Sequence, residues 1–230
     1  MHERKTVLLA KDLHKRFMMG NSEVRALAGV DISLTSGELV MLLGPSGSGK
    51  TTLLHVLSGL EAPDTGSVIV EGKDIYSLSD SQLSRLRSEK FGFVFQSFNL
   101  LAPLTALENV EIPLRVAGKP QAKKRALDML ARVGLAERAH HKPGQMSGGE
   151  QQRVSIARAL VAEPSIVFAD EPTGNLDSDT GAEIMGLLSA LVADNNAACI
   201  MVTHNTELVE LADRVLHLRN GRIVETISKA

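Results

Sequence analysis

The chain of 230 residues contains one cysteine and no tryptophan, and a single cysteine excludes an intramolecular disulfide. Cys199 lies inside the apolar run "AACIMV" and reads as a small buried hydrophobe, and a lone thiol fits a reducing compartment. Long apolar runs are also missing: no window approaches the roughly 20 apolar residues that a membrane helix needs. The start, "MHERKTVLLAKDLHKRF", holds only a short apolar stretch between charges, too short for the apolar region of a signal peptide. The chain is therefore expected in the cytosol, with any membrane role supplied by a partner. The net charge of -2 contains no overall basic excess of the kind that points to nucleic acid. His140 and His141 carry no neighbouring pattern with metal-ligand spacing. The basic run "KPQAKKRA" reads first as a solvated helix face, with an anionic membrane surface as the second reading. Repeats and low-complexity segments are absent.

What is present is an ordinary globular composition, 43% hydrophobic and 23% charged, in a chain long enough for one substantial core. "LLAKDLHKRF" and "VRALAGVDISLTSGE" alternate apolar and polar residues between turn signals, which predicts antiparallel strands near the N-terminus. Four continuous apolar runs, "ELVMLLG", "FGFVFQ", "SIVFADE" and "ACIMVTH", read as buried central strands. Helical patterns follow: "GKTTLLHVLSGL", "SDSQLSRLR" and Ser178 to Asp194. Residues 105 to 143 have helical spacing with breaks at Gly118-Lys119-Pro120 and at Gly134. Asn220-Gly221 between two alternating runs predicts a hairpin. Strands alternating with helices imply an α/β fold with a mostly parallel core sheet. One domain over residues 1–230 is expected, with a helical subdomain inserted at about 97–163.

The chemistry begins with "GPSGSGKTT", which places Gly44, Gly49, Lys50 and Thr51 at the spacing of a phosphate loop between a buried strand and a helix. Pro45, Ser46, Gly47, Ser48 and Thr52 complete the cradle. Lys50 is expected to reach the β- and γ-phosphates, and the Thr51 hydroxyl to ligate Mg²⁺. The four apolar runs end in polar groups: the loop after Gly44, Gln96, Asp170-Glu171 and His204. In an open parallel sheet these ends meet where ligands bind. Asp170 suits the carboxylate that holds Mg²⁺, directly or through water. Glu171 is placed to orient or deprotonate an attacking water. His204 suits the sensing or stabilising of a γ-phosphate, and Gln96 the completion of the Mg²⁺ or water shell. A second anion cradle stands in "QMSGGEQQRVSIARAL", where a serine and two glycines precede a helix without a lysine or metal ligand of their own.

Taken together, "GPSGSGKT", Phe95-Gln96, "MSGGEQQR", "IVFADE", "GNLD" and "THN" resemble the motifs of the ATP-binding subunit of an ATP-binding-cassette (ABC) transporter over nearly the whole chain. Met146 and Glu150 stand where that family's signature usually has Leu and Gln. The resemblance implies ATP and Mg²⁺, with Lys50, Glu171 and His204 catalytic. It implies a homodimer sandwiching two ATP, in which Ser147, Gly148 and Gly149 close on the γ-phosphate held by the partner. Phe17 matches the position of the aromatic, usually a Tyr, that stacks on adenine; its second reading is a core Phe of the antiparallel strands. "FVFQSFNLL", "LTALENVEIPL" and "ADEPTGNLDS" are similar to the bacterial branch of lipoprotein-release and macrolide or peptide export ATPases. That similarity implies integral membrane permease partners, no nucleic acid, and a place on the cytoplasmic face of the inner membrane. A regulatory ATPase of a cell-division complex is the alternative. A soluble DNA- or ribosome-acting ABC ATPase fits less well, because coiled-coil insertions and a second cassette are both missing.

Overall fold

A computed structural model describes residues 5–20 and 22–229; the charged start Met1–Arg4, Asn21 and Ala230 lie outside the described residues. β1 (Thr6–Met19) and β2 (Ser22–Thr35) form a long antiparallel pair, joined by β4 (Thr65–Val70) and the short β5 (Lys73–Asp74) in the order β2-β1-β4-β5. The second sheet contains β3 (Leu39–Leu43), β6 (Phe91–Phe95), β7 (Ile166–Asp170), β8 (Ala198–Val202), β9 (Arg214–Arg219) and β10 (Arg222–Ser228). Its order is β10-β9-β3-β8-β7-β6. β3, β8, β7 and β6 are parallel neighbours, as the four apolar runs predicted. β9 and β10 are the predicted hairpin, with Asn220 and Gly221 both at positive φ (49° and 71°), the backbone of a two-residue turn.

The period-two alternation of each central strand feeds two separate cores, which explains why these runs are apolar at every position. Val40, Leu42, Phe168, Ile200 and Val202 face the antiparallel sheet and α1 (Lys50–Leu57). Met41, Val167, Ala169, Cys199 and Met201 face the other side, with α6 (Ser178–Asp194) and the helices α3 (Ala106–Val116), α4 (Ala122–Arg132) and α5 (Gly148–Leu160). Pro120 precedes α4 in the break between α3 and α4, as the Gly-Lys-Pro break predicted. Cys199 is fully buried and burial pushes its thiol up to about 12, so it packs as a hydrophobe and is no nucleophile. Ser79 opens α2 (Asp80–Lys90) with a capping box, at the start the sequence predicted, and Asp177 caps α6 by accepting from the Thr180 N–H.

Two braces hold this frame. Glu38 is buried where it accepts from the Thr35 N–H (3.0 Å) and hydroxyl (2.9 Å) and pairs with Arg214 Nε at 2.9 Å, linking the end of β2 to β9. Tyr76, the one tyrosine, points its hydroxyl at the Val56 and Glu61 carbonyls, both at 2.6 Å, and so fixes the C-terminal end of α1. Burial, then Glu61 and Asp74, raises the phenol's pKa, so it remains a donor. Tyr76→Phe leaves two carbonyls without their shared donor. It is expected to cost about 1–2 kcal/mol in urea unfolding at unchanged m-value.

Candidate active site

β3 runs straight into the loop 44–49, and α1 begins at Lys50. The loop is wedged between its neighbours. A side chain at Gly44 would run into the Leu218 carbonyl, and one at Gly49, whose φ is 104°, into the Ala26 carbonyl. Only glycine lets the backbone pass this close to those two carbonyls. The β9–β10 turn supports the loop from outside, where the Gly221 N–H donates to the Ser48 carbonyl (3.0 Å) and the Ala28 N–H to the Gly221 carbonyl (2.9 Å). The Lys50 ammonium folds over its own loop and donates to the Gly44 and Pro45 carbonyls at 2.9 and 3.0 Å. Ser48 Oγ is buried with no hydrogen-bond partner among the described residues.

A cleft of about 450 Å³ opens over this loop. Gly44, Ser46, Gly47, Gly49, Lys50, Thr51 and Thr52 form its floor, Phe17, Val24 and Ala26 one end, and Glu171 and His204 the other. Phe17 is 38% exposed and lines the cleft, so it is no core residue of the antiparallel strands. Asp170 stands at the end of β7, where the Thr51 hydroxyl reaches its Oδ1 at 3.5 Å. Burial raises the Asp170 pKa foremost, with Glu171 adding to it, against the opposing pull of His55, Thr51 and Lys50. A hydroxyl and a half-buried carboxylate, with a further carboxylate next in sequence, form an all-oxygen donor set that suits Mg²⁺. A glycine-permitted loop with a lysine ammonium folded over it suits phosphate.

Glu171 adopts φ 46°, uncommon for a residue with a long side chain, while its N–H donates to the Val202 carbonyl at 2.9 Å. The main-chain twist turns its carboxylate toward the end of β8, where it meets His204 Nδ1 at 3.1 Å. That contact requires the proton on Nδ1 and leaves Nε2 of the ring facing outward. A larger cleft of about 690 Å³ shares Glu171 and His204 but is otherwise lined by residues 173–186 and 203–211 and has no part of the phosphate loop. Of the two, the smaller cleft is the one lined by the phosphate loop.

Two expected groups lie elsewhere within the single chain. The Gln96 amide donates to Asn175 Oδ1 (3.2 Å), and the Asn175 amide donates back to the Gln96 carbonyl (3.0 Å), so the Gln96 side chain is turned away from the loop cleft. Ser147, Gly148 and Gly149 do not line the cleft either. Ser147 caps α5: its N–H donates to Glu150 Oε2 at 2.8 Å, and its hydroxyl accepts from the Glu150 N–H at 3.2 Å. Sequence reasoning quoted Asn175 in "GNLD" and Gln152 in "MSGGEQQR" but gave neither a role. The Gln152 amide is fully buried and donates to the Pro172 carbonyl at 2.5 Å, joining the signature helix to the residue after Glu171. A glutamine three and four residues before Ser155 and Ile156, on the buried stripe of α5, was the available signal.

The family model described as ABC transporter matches residues 27–174, from the antiparallel sheet through the strand that carries Asp170 and Glu171. The chain belongs to the ABC transporter family. It is an ATPase of the ATP-binding-cassette type, and the ABC fold accounts for both sheets and the helical lobe. It is 48% identical over 221 residues to an uncharacterized ABC transporter ATP-binding protein of Thermotoga maritima, covering 95% of this chain and 94% of that one. It is 44% identical to the lipoprotein-releasing system ATP-binding protein LolD of Psychrobacter arcticus, over 94% of this chain and 96% of that one. It is also 46% identical to the macrolide export ATP-binding/permease protein MacB of Chlorobaculum tepidum, where 94% of this chain spans only 33% of the relative. Among solved structures, the ABC cassette MJ0796, a dimer in a post-hydrolysis state bound to ADP and Pi, superposes with a TM-score of 0.88. Its identity is 40%, over 96% of this chain and 98% of that one.

Proposed function

We propose that this ABC ATPase binds Mg-ATP in the loop cleft, dimerises around it, and drives a membrane permease of the lipoprotein-release or macrolide-export kind. The observation that carries this reading is the meeting of Lys50, Thr51, Glu171 and His204 around one cleft, at the carboxyl ends of adjacent parallel strands. The backbone of 44–49 and the Lys50 ammonium hold the β- and γ-phosphates, for which the ammonium leaves its own loop carbonyls. Phe17 offers its ring face to adenine. Thr51 and Asp170 would hold Mg²⁺, with Gln96 available to its shell, and the bound ion would supply positive charge to the phosphates. Glu171 orients water and accepts its proton, and His204, held by Glu171 at Nδ1, donates from Nε2 toward the γ-phosphate when its ring carries both protons.

Ser147, Gly148 and Gly149 make half a site. In a two-fold pair the same surfaces serve reciprocally, so each signature completes the partner's cleft and two ATP are enclosed. The MJ0796 dimer with ADP and Pi supports this reading. Among the described residues no helix is long and apolar enough to cross a membrane. The site of action is the cytoplasmic face of the inner membrane, beside a permease, as the likeness to the lipoprotein-releasing system ATP-binding protein LolD supports. Export or mechanical transmission of force is the reaction served.

Ser147→Arg tests the two-chain site. An arginine there is expected to stop hydrolysis by blocking closure, and to leave ATP affinity of the monomer within about two-fold, because Ser147 is not in its own cleft. Weakened binding by the monomer would mean that the signature acts within one chain, and unimpaired hydrolysis would remove it from the site altogether.

A further inference from the structure

We infer that Lys15 is the positioning residue for the nucleotide base: its half-buried ammonium backs the Phe17 ring and fastens it to the far end of the helix that carries Lys50. The inference rests on the nucleotide reading given above. Lys15 and Phe17 stand two residues apart in β1, where its register with β2 shifts between Lys15 and Arg16, and Lys15 Nζ lies over the Phe17 ring. The strand there lies against the turn after α1, where the Asp64 N–H donates to the His14 carbonyl at 2.8 Å and the Arg16 N–H to Asp64 Oδ2 at 2.9 Å. Lysine side chains are ordinarily well solvated, yet that of Lys15 is only 12% exposed. Its Nζ contacts Glu61 Oε1 at 2.5 Å, donates to the Ala62 carbonyl at 2.7 Å, and sits 5.2 Å from the centre of the Phe17 ring. Asp64 Oδ1 stands further off, at 3.9 Å.

The consequences for a base follow from charge and geometry. Phe17 has no polar atom with which to fix its ring, so the ammonium is its directional contact. A cation on one face draws π-density toward itself and leaves the opposite face less repulsive to an electron-rich purine. The partners of Lys15 lie in the turn directly after α1, whose first residue is Lys50. An α-helix of eight residues is a rigid rod of about 12 Å. Lys15 thereby sets the base-stacking ring at a fixed reach from the phosphate cradle. Tyr76 holds the same turn through the Glu61 carbonyl.

The test compares ligands with and without a base: ADP and inorganic pyrophosphate, each titrated with Mg²⁺ by calorimetry. Lys15→Met is expected to weaken ADP about five-fold, the worth of a partly buried cation–ring contact, and to leave pyrophosphate within about two-fold. Lys15→Arg is expected to restore most of the ADP affinity, since a guanidinium also stacks on a ring. In a Phe17→Leu background Lys15→Met is expected to cost nothing further. Should Lys15→Met fail to fold, Glu61→Gln loosens the ammonium from outside and is expected to weaken ADP alone, by about two-fold. Equal weakening of both ligands, unchanged ADP affinity, or a full further loss without Phe17 would each overturn the inference. Lys50→Ala serves as the reference and is expected to lose both ligands. If it keeps both, the failure lies in the nucleotide reading itself, and the inference falls with it.

Discussion

Glu171→Gln is expected to stop ATP hydrolysis while leaving ATP binding intact, with turnover lowered by about 1,000-fold, within the range spanned by loss of a general base. The substitution keeps side-chain length and volume, and its amide oxygen still accepts from His204 Nδ1, now 3.1 Å from the carboxylate. The backbone at φ 46°, held by the N–H bond to the Val202 carbonyl, depends on the main chain and is retained. What disappears is the ability to take a proton from water. Because the γ-phosphate then persists, any contact made to it by Ser147 and Gly149 of a second copy persists too. Radiolabelled ATP retention beside phosphate release separates the two effects. Release at the parent rate would take Glu171 out of the proposed role.

Lys50→Ala is the second large effect. Among the described residues the Lys50 ammonium hydrogen-bonds to two carbonyls of its own loop, so its removal takes a cation from the cradle without cutting a hydrogen bond to the rest of the fold. Hydrogen bonds to charged groups are worth about 1.5–3 kcal/mol each, and one lysine reaching two phosphates forms two of them. ATP affinity is expected to fall by about 100-fold or more and hydrolysis to become undetectable, with the unfolding midpoint near that of the parent chain. Binding within a few-fold of the parent would exclude the loop as the phosphate site.

Most of this architecture was legible because it depends on local rules. The four central strands read as continuous apolar runs since both of their faces are buried, and their parallel adjacency follows from alternation with helices. Gly44 to Thr51 were legible because their spacing matches a backbone cradle, and the structure adds the reason for two of the glycines, the carbonyls of Leu218 and Ala26. The hairpin at Asn220-Gly221 was equally plain, but its use as a buttress for the loop was not: that contact joins residues 48 and 221. The same limit hid the partners of Gln96 and Lys15. Gln96 was read as a member of the metal shell because it ends a central strand, whereas its amide is paired with Asn175, 79 residues away. Lys15 read as one charge in an alternating strand, and only the packing of β1 on the turn after α1 gives it Glu61, Ala62 and the Phe17 ring. Periodicity locates elements and loop chemistry. It does not say which side chains meet across them.

The most direct measurement is the solution mass of Glu171→Gln by size exclusion with light scattering, with and without Mg-ATP. With ATP the expected mass is twice the 24.7 kDa of one chain, and without it the mass of one chain. Addition of Ser147→Arg to the same chain is expected to return it to the monomer in ATP. A monomer throughout, or a dimer indifferent both to ATP and to Ser147→Arg, would contradict a site built from the phosphate loop of one copy and the signature of another.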